Sequence, residues 1–138
     1  VQFSDPRVQR FLSEKHVVVL ATLQADGAPF ARAMWFVHGA DDLAMLSVAG
    51  TAKVAQLRRD PRVSVVAEAG TTSNIRSVIV AGRAAFLDDS PERRALVERF
   101  HAKYEGALER LWGGRAMPPD RVMFRIVPER VRAYGLSA

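Results

Sequence analysis

The chain predicts a mainly β protein, a small β-barrel with accessory helices. Apolar runs rich in β-branched residues recur along most of its length, and most are joined by short turns built from Gly, Asp and Pro. Short turns make neighbouring strands antiparallel, and six or seven strands at this spacing favour a closed or nearly closed barrel over an open sheet. Helical patterning is confined to three places, which suits helices packed outside the barrel or closing its ends.

The elements follow in order. Asp5-Pro6 reads as an N-cap followed by proline at the first helical position, with Val8, Phe11 and Leu12 on one face of a short helix. HVVVLATL (16–23) reads as a buried strand, QADGAP as a hairpin turn and FARAMWFV (30–37) as the returning strand. HGADD makes a second turn into LAMLSV (43–48), and the spacing of Val54 and Leu57 predicts a helix from Thr51 to about Arg59. RVSVVAEA (62–69), the polar loop GTTSN and a long strand (75–87) come next, with Gly82 expected at a bulge or bend. Ser90-Pro91-Glu92 opens a longer helix carrying Leu96, Val97, Phe100 and Tyr104, with a break expected at Gly106 and an end at Gly113-Gly114. Two closing strands, RVMFRIV and RVRAYGL, are expected on either side of Pro128-Glu129.

With 138 residues, 49% hydrophobic and 25% charged, residues 1–138 make one ordered domain with its own core. No apolar run approaches a membrane span and no signal-peptide pattern opens the chain, so a membrane location is not expected. The absence of cysteine excludes disulfides, thiolate metal sites and a cysteine nucleophile, and it fits a cytoplasmic protein. Twenty Lys and Arg against fifteen Asp and Glu give a net charge of +5, which favours anionic partners. Nucleic acid is not the expected one: the basic residues are interleaved with acids, and no aromatic-rich strand offers a stacking platform.

Self-sufficient catalytic motifs are absent. There is no G-x-S-x-G, no Walker-type loop and no dinucleotide G-x-G-x-x-G. His16, His38 and His101 lack metal-ligand spacing, so no metal is expected, and Asp41-Asp42 and Asp88-Asp89 read as turn residues. One local anomaly stands out in SVAGTAK. Lys53 falls in the first turn of a helix, where free N–H groups and the macrodipole already leave partial positive charge. An anion on that helix start reverses the sign, because the N–H groups, the Thr51 hydroxyl and the ammonium then converge on it. Phosphate is the natural occupant, and Arg32 supplies a fork to the same group if its strand lies alongside.

The ordered set LATLQADGAPFARAMWFV, LAMLSVAGTAKVAQLRRDPRVSVV and IRSVIVAGRAAFL resembles the pyridoxamine 5'-phosphate oxidase-like family, the FMN-binding split β-barrels. Matching features are the hairpin, the strand ending in Ser, the Gly-Thr-x-Lys helix start, the Asp-Pro-Arg-Val-Ser segment and the later Gly-x-Ala strand, with RVMFRIVPERVRAY fitting the closing strands. The resemblance implies that Arg32 and Lys53 hold a flavin phosphate, assisted by Ser47 and Thr51. It places the flavin ring against Ala33, Met34, Trp35 and Phe36, with Ser77 where the oxidases proper carry an amide side chain. Ala52 belongs to the same phosphate segment but stands where those oxidases have a second basic residue. They also continue past the last strand into a segment that grips the vitamer, whereas this sequence stops at Ala138, so pyridoxamine phosphate is not the expected substrate.

What the resemblance implies is an oxidoreductase transferring hydride between bound FMN and a small organic substrate. Coenzyme F420 is the alternative cofactor, favoured by AK...LRRDPR and the surplus positive charge. A homodimer with the cofactor at the interface is implied as well. A non-catalytic flavin or haem carrier of the same fold, with His16, His38 or His101 as axial ligand, is the other reading.

Overall fold

Short turns force neighbouring strands to run antiparallel, and in the computed structural model, which describes residues 1–137, they produce one seven-stranded sheet. Along the chain lie α1 (Pro6–Ser13), β1 (Val18–Leu23), β2 (Pro29–Met34), β3 (Val37–His38), β4 (Leu43–Val48) and α2 (Ala52–Arg59). β5 (Arg62–Ala69), β6 (Arg76–Leu87), α3 (Pro91–Lys103), α4 (Ala107–Trp112) and β7 (Arg121–Tyr134) follow. The strand order is β2-β1-β5-β6-β7-β4-β3. Its two edges, β2 and β3, are separated in the chain only by Trp35 and Phe36. The sheet therefore curls until its edges adjoin, giving the nearly closed barrel with a seam crossed by those two residues.

Local chemistry sets the corners. The β1–β2 turn closes with Gln24 and Ala28 hydrogen bonded at 2.9 Å, and Gly27 adopts a φ of 85°, which costs glycine little. At Gly82 the β6–β7 register shifts: Ala81 faces Arg130, Gly82 faces Pro128, and Glu129 is the extra residue of a bulge. A Cβ on Gly82 would lie 2.2 Å from the Val127 carbonyl oxygen, so only glycine fits. The bulge also explains a difference from expectation. Pro128 does not end a strand, because proline is tolerated where the ladder is already interrupted, and the two closing strands are one, β7.

The second difference lies at the seam. The expected single strand over 30–37 breaks after Met34, since Trp35 and Phe36 pass from one sheet edge to the other. Leaving the ladder deprives Phe36 of strand partners, and a side chain replaces them. Its N–H donates to the Tyr104 hydroxyl at 2.8 Å, and that hydroxyl lies 2.9 Å from the Phe36 carbonyl and 2.7 Å from that of His16.

Alternation then divides the core. Leu43 and Met45 of β4, with Phe124 and Ile126 of β7, point into the barrel, where Val8, Phe11 and Leu12 of α1 close one end. Ala44 and Met123 point outward onto Val97, Phe100, Tyr104 and Leu108 of α3 and α4. Both faces of β4 are thereby covered at Leu43, Ala44 and Met45, whereas its last residue, Val48, is exposed where the site begins.

Candidate functional site

β4 passes into α2 through Ala49, Gly50 and Thr51, held by the Ala49 N–H donating to the Asp120 carbonyl at 2.7 Å. Asp5 and Ser90 cap α1 and α3 by accepting from the Arg7 and Arg93 N–H groups. Thr51 does not do the same for α2. Its hydroxyl donates back to the Val48 carbonyl at 3.0 Å, leaving the first-turn N–H groups without a side-chain acceptor.

Beside this open helix start sits Lys53, only 8% exposed. Its Nζ donates to the Ser47 hydroxyl at 2.8 Å, and Ser47 Oγ lies 3.3 Å from Thr51 Oγ1. Among the described residues no carboxylate balances the ammonium, and its charged neighbour is Arg32, of the same sign. Burial, then Arg32, push the Lys53 pKa below the usual lysine value. A buried cation without a counter-ion, set against the positive end of a helix, is a costly arrangement that a bound anion relieves. The donor set, one ammonium, two hydroxyls and the helix N–H groups, has the chemistry of a phosphate site.

A cavity of about 340 Å³ opens from this polar end. Its lining comes from three parts of the chain: Ala33, Met34 and Trp35; Leu46 and Val48 of β4; and Phe100, Leu108, Leu111 and Trp112 of α3 and α4. Trp35 stacks on Tyr104 with ring centroids 4.4 Å apart and planes 5° from parallel. The anchored Tyr104 hydroxyl and this stack fix the Trp35 ring before any ligand arrives. Burial raises the Tyr104 pKa to about 12, so the hydroxyl stays protonated as a donor. An apolar slot ending in a cationic pocket suits a planar ring carrying a phosphate.

Of the residues expected from the sequence, the structure gathers Ala33, Met34, Trp35, Ser47, Thr51 and Lys53 around one cavity. Arg32 is not on its wall: it faces Leu20 across β1, and its guanidinium lies 5.7 Å from the Phe30 ring, near enough to act on Lys53. The side-by-side pairing expected to bring it there is not formed, because β4 pairs with β3 and β7. Phe36 is wholly buried in the barrel core and does not line the cavity. Ala52 is exposed at the helix start, and Ser77 stands opposite Glu68 and Tyr134; neither lines the cavity.

Leu108, Leu111 and Arg121 are not expected here from the sequence, whereas Trp112, like Trp35, already reads there as a candidate ring contact. Leu108, Leu111 and Trp112 carry a signal in their i, i+3, i+4 spacing, but only docking shows which way that face turns. Arg121 is held by Asp120 at 2.5 Å. None of the three histidines lines this cavity. Among the described residues no group of three or more His, Asp or Glu side chains is placed to hold a metal ion, and no helix is long and apolar enough to cross a membrane.

Residues 4–135 match the family described as pyridoxamine 5'-phosphate oxidase. No curated protein matches the chain. A conserved hypothetical protein of Mycobacterium tuberculosis superimposes with a TM-score of 0.82 at 28% identity, over 95% of this chain and 84% of that one. An FAD-binding protein of Mesorhizobium loti gives 0.72 at 25% identity, over 91% and 89%. The haem storage protein of Vibrio cholerae gives 0.80 at 20% identity, over 99% and 97%, a likeness of fold.

Proposed function

This chain belongs to the pyridoxamine 5'-phosphate oxidase family, and on that footing we propose that it is an oxidoreductase using FMN, with coenzyme F420 as the alternative cofactor. The observation that carries this reading is Lys53, a buried ammonium without a counter-ion at an uncapped helix start. Lys53, Ser47, Thr51 and the first N–H groups of α2 would hold the phosphate, with Arg32 adding positive potential. Trp35 and the Leu108–Trp112 face would flank the ring and exclude water from it. When bound, the cofactor supplies the hydride chemistry. The chain's part is to bind, orient and desolvate.

A homodimer is part of the same proposal. Trp35, Val48 and Leu111 are exposed at the cavity rim, and Val17 and Val19 are exposed on or beside β1. Apolar surface bordering an open cavity suits a second copy that completes the wall. A non-catalytic haem carrier is the other reading. What favours it is the fold likeness to the Vibrio cholerae protein; against it, no histidine lines the cavity.

Tryptophan fluorescence titration of cofactor-free protein with FMN and with F420 tests the proposal. Saturable quenching by one of them supports it and chooses the cofactor. Absence of binding to both rejects it.

A further inference from the structure

A second cleft, of about 390 Å³, lies where the end of α1 and the residues after it meet β3 and the last turns of α3. Ser13, His16, His38, Arg99 and Lys103 supply its polar lining, and among the described residues no carboxylate takes part. A basic residue in the last turn of a helix complements the macrodipole, which accounts for Lys103 being there at all. It does not account for its position. The Lys103 ammonium is half-buried 3.5 Å from the Phe36 ring centroid and 5.4 Å from that of Tyr104. Burial and Arg99 together bring its pKa down to about 8.

Neighbouring groups do not neutralise the cluster. Arg99 spends one N–H on the His38 carbonyl, and no ion pair is formed by Arg99 or Lys103 among the described residues. Asp42, on the β3–β4 side, pairs with Arg125 at 3.5 Å and acts on Arg99 only through space, without an ion pair. Burial, Lys103 and Arg99 all hold the His38 imidazole toward its neutral form. The cleft is therefore a concave, cationic surface whose charges repel one another until an anion enters.

We propose that this cleft binds the oxyanion of a small organic ligand, a carboxylate or a phosphate ester, held by Lys103 and Arg99 with His16 and His38 beside them. The site is separate from the Lys53 cavity, with which it shares no lining residue. Tyr104 stands between them: its ring meets His16 edge-on at 6.1 Å and stacks on Trp35 at 4.4 Å. A ligand here thus sits against His16 and Lys103, which flank the Tyr104 ring behind Trp35, without contacting Lys53.

The test is a residue-resolved amide NMR titration of the cofactor-free protein at pH 7 with sodium acetate and with inorganic phosphate, each against sodium chloride at matched ionic strength. Saturable shifts are expected at residues 13–16, 37–38 and 99–104, separable from any shifts at 47–54 from the other site. Tighter acetate binding assigns a carboxylate, tighter phosphate binding a phosphate ester. Lys103→Met and the exposed-site variant Arg99→Gln should each weaken binding at least tenfold. Shifts no larger than those given by chloride, or shifts unchanged in both variants, overturn the proposal.

Discussion

Replacing Lys53 by methionine should move stability and binding in opposite directions. Methionine keeps the length of the stem that packs at the start of α2 and removes the buried ammonium. The wild-type protein bears the desolvation of that charge and its repulsion by Arg32, offset by one hydrogen bond of 2.8 Å to Ser47. Ser47 keeps Thr51 Oγ1 within 3.3 Å, so the substitution does not isolate its hydroxyl. Removing a poorly balanced buried charge is neutral to stabilising by a few kcal/mol, and after loss of the Ser47 bond a net gain of about 1 kcal/mol remains. For a domain of this size that is a rise in Tm of about 3 to 5 °C. Binding should suffer the reverse. Loss of a charge-assisted contact to phosphate costs about 2 to 3 kcal/mol, or about 30- to 150-fold in Kd. Urea denaturation of the cofactor-free protein and calorimetric titration with FMN read the two effects separately. A variant that loses stability while keeping its affinity would show a structural lysine and refute the reasoning.

Three further outcomes follow from the fold. Tyr104→Phe leaves the buried Phe36 N–H without its acceptor, so stability should fall by about 1 to 3 kcal/mol in denaturant titration, with altered Trp35 fluorescence as the stack loosens. Gly82→Ala places a Cβ against the Val127 carbonyl and should cost about 1 to 3 kcal/mol, read as a lowered urea midpoint at unchanged slope. Lys103 has a folded pKa of about 8 against an ordinary 10.5, so the folded protein sheds this proton first. Its penalty is present below pH 8 and is relieved as pH rises toward 10.5; because the group is half exposed, about 1 to 2 kcal/mol is expected. The stability difference between wild type and Lys103→Met should therefore shrink between pH 7.5 and 10, and a constant difference would reject the depressed pKa.

Much of this was legible in the sequence because the signals are local. β4 and β5 begin and end where their apolar runs and the turn residues place them, and the Gly82 bulge is marked by a glycine inside a strand pattern. The seam is not legible: FARAMWFV is continuously strand-like, and only closure of the sheet shows that Trp35 and Phe36 must leave the ladder. Pro128 misleads for the opposite reason, since its strand-breaking tendency is absorbed by a bulge that depends on a partner strand distant in sequence.

The site divides in the same way. Lys53 is readable because a cation in a first helical turn conflicts with the local dipole, and its neighbours Ser47 and Thr51 come with it. Arg32 acts on Lys53 through space, but the strand pairing that the sequence suggests for bringing its fork to the same anion does not form. Tyr104, Leu108 and Leu111 read simply as helix faces, because their positions at the cavity arise from where α3 and α4 dock.

The most direct test of the central claim, that the Lys53 pocket holds the phosphate of a flavin-type cofactor, is calorimetric titration of the wild-type protein with FMN and with riboflavin. The two ligands share the ring and differ in the phosphate. The account predicts saturable FMN binding at least 100-fold tighter than riboflavin, about 2.7 kcal/mol from the phosphate alone. Equal affinities would show that the buried lysine does not grip the phosphate, and would contradict the site assignment.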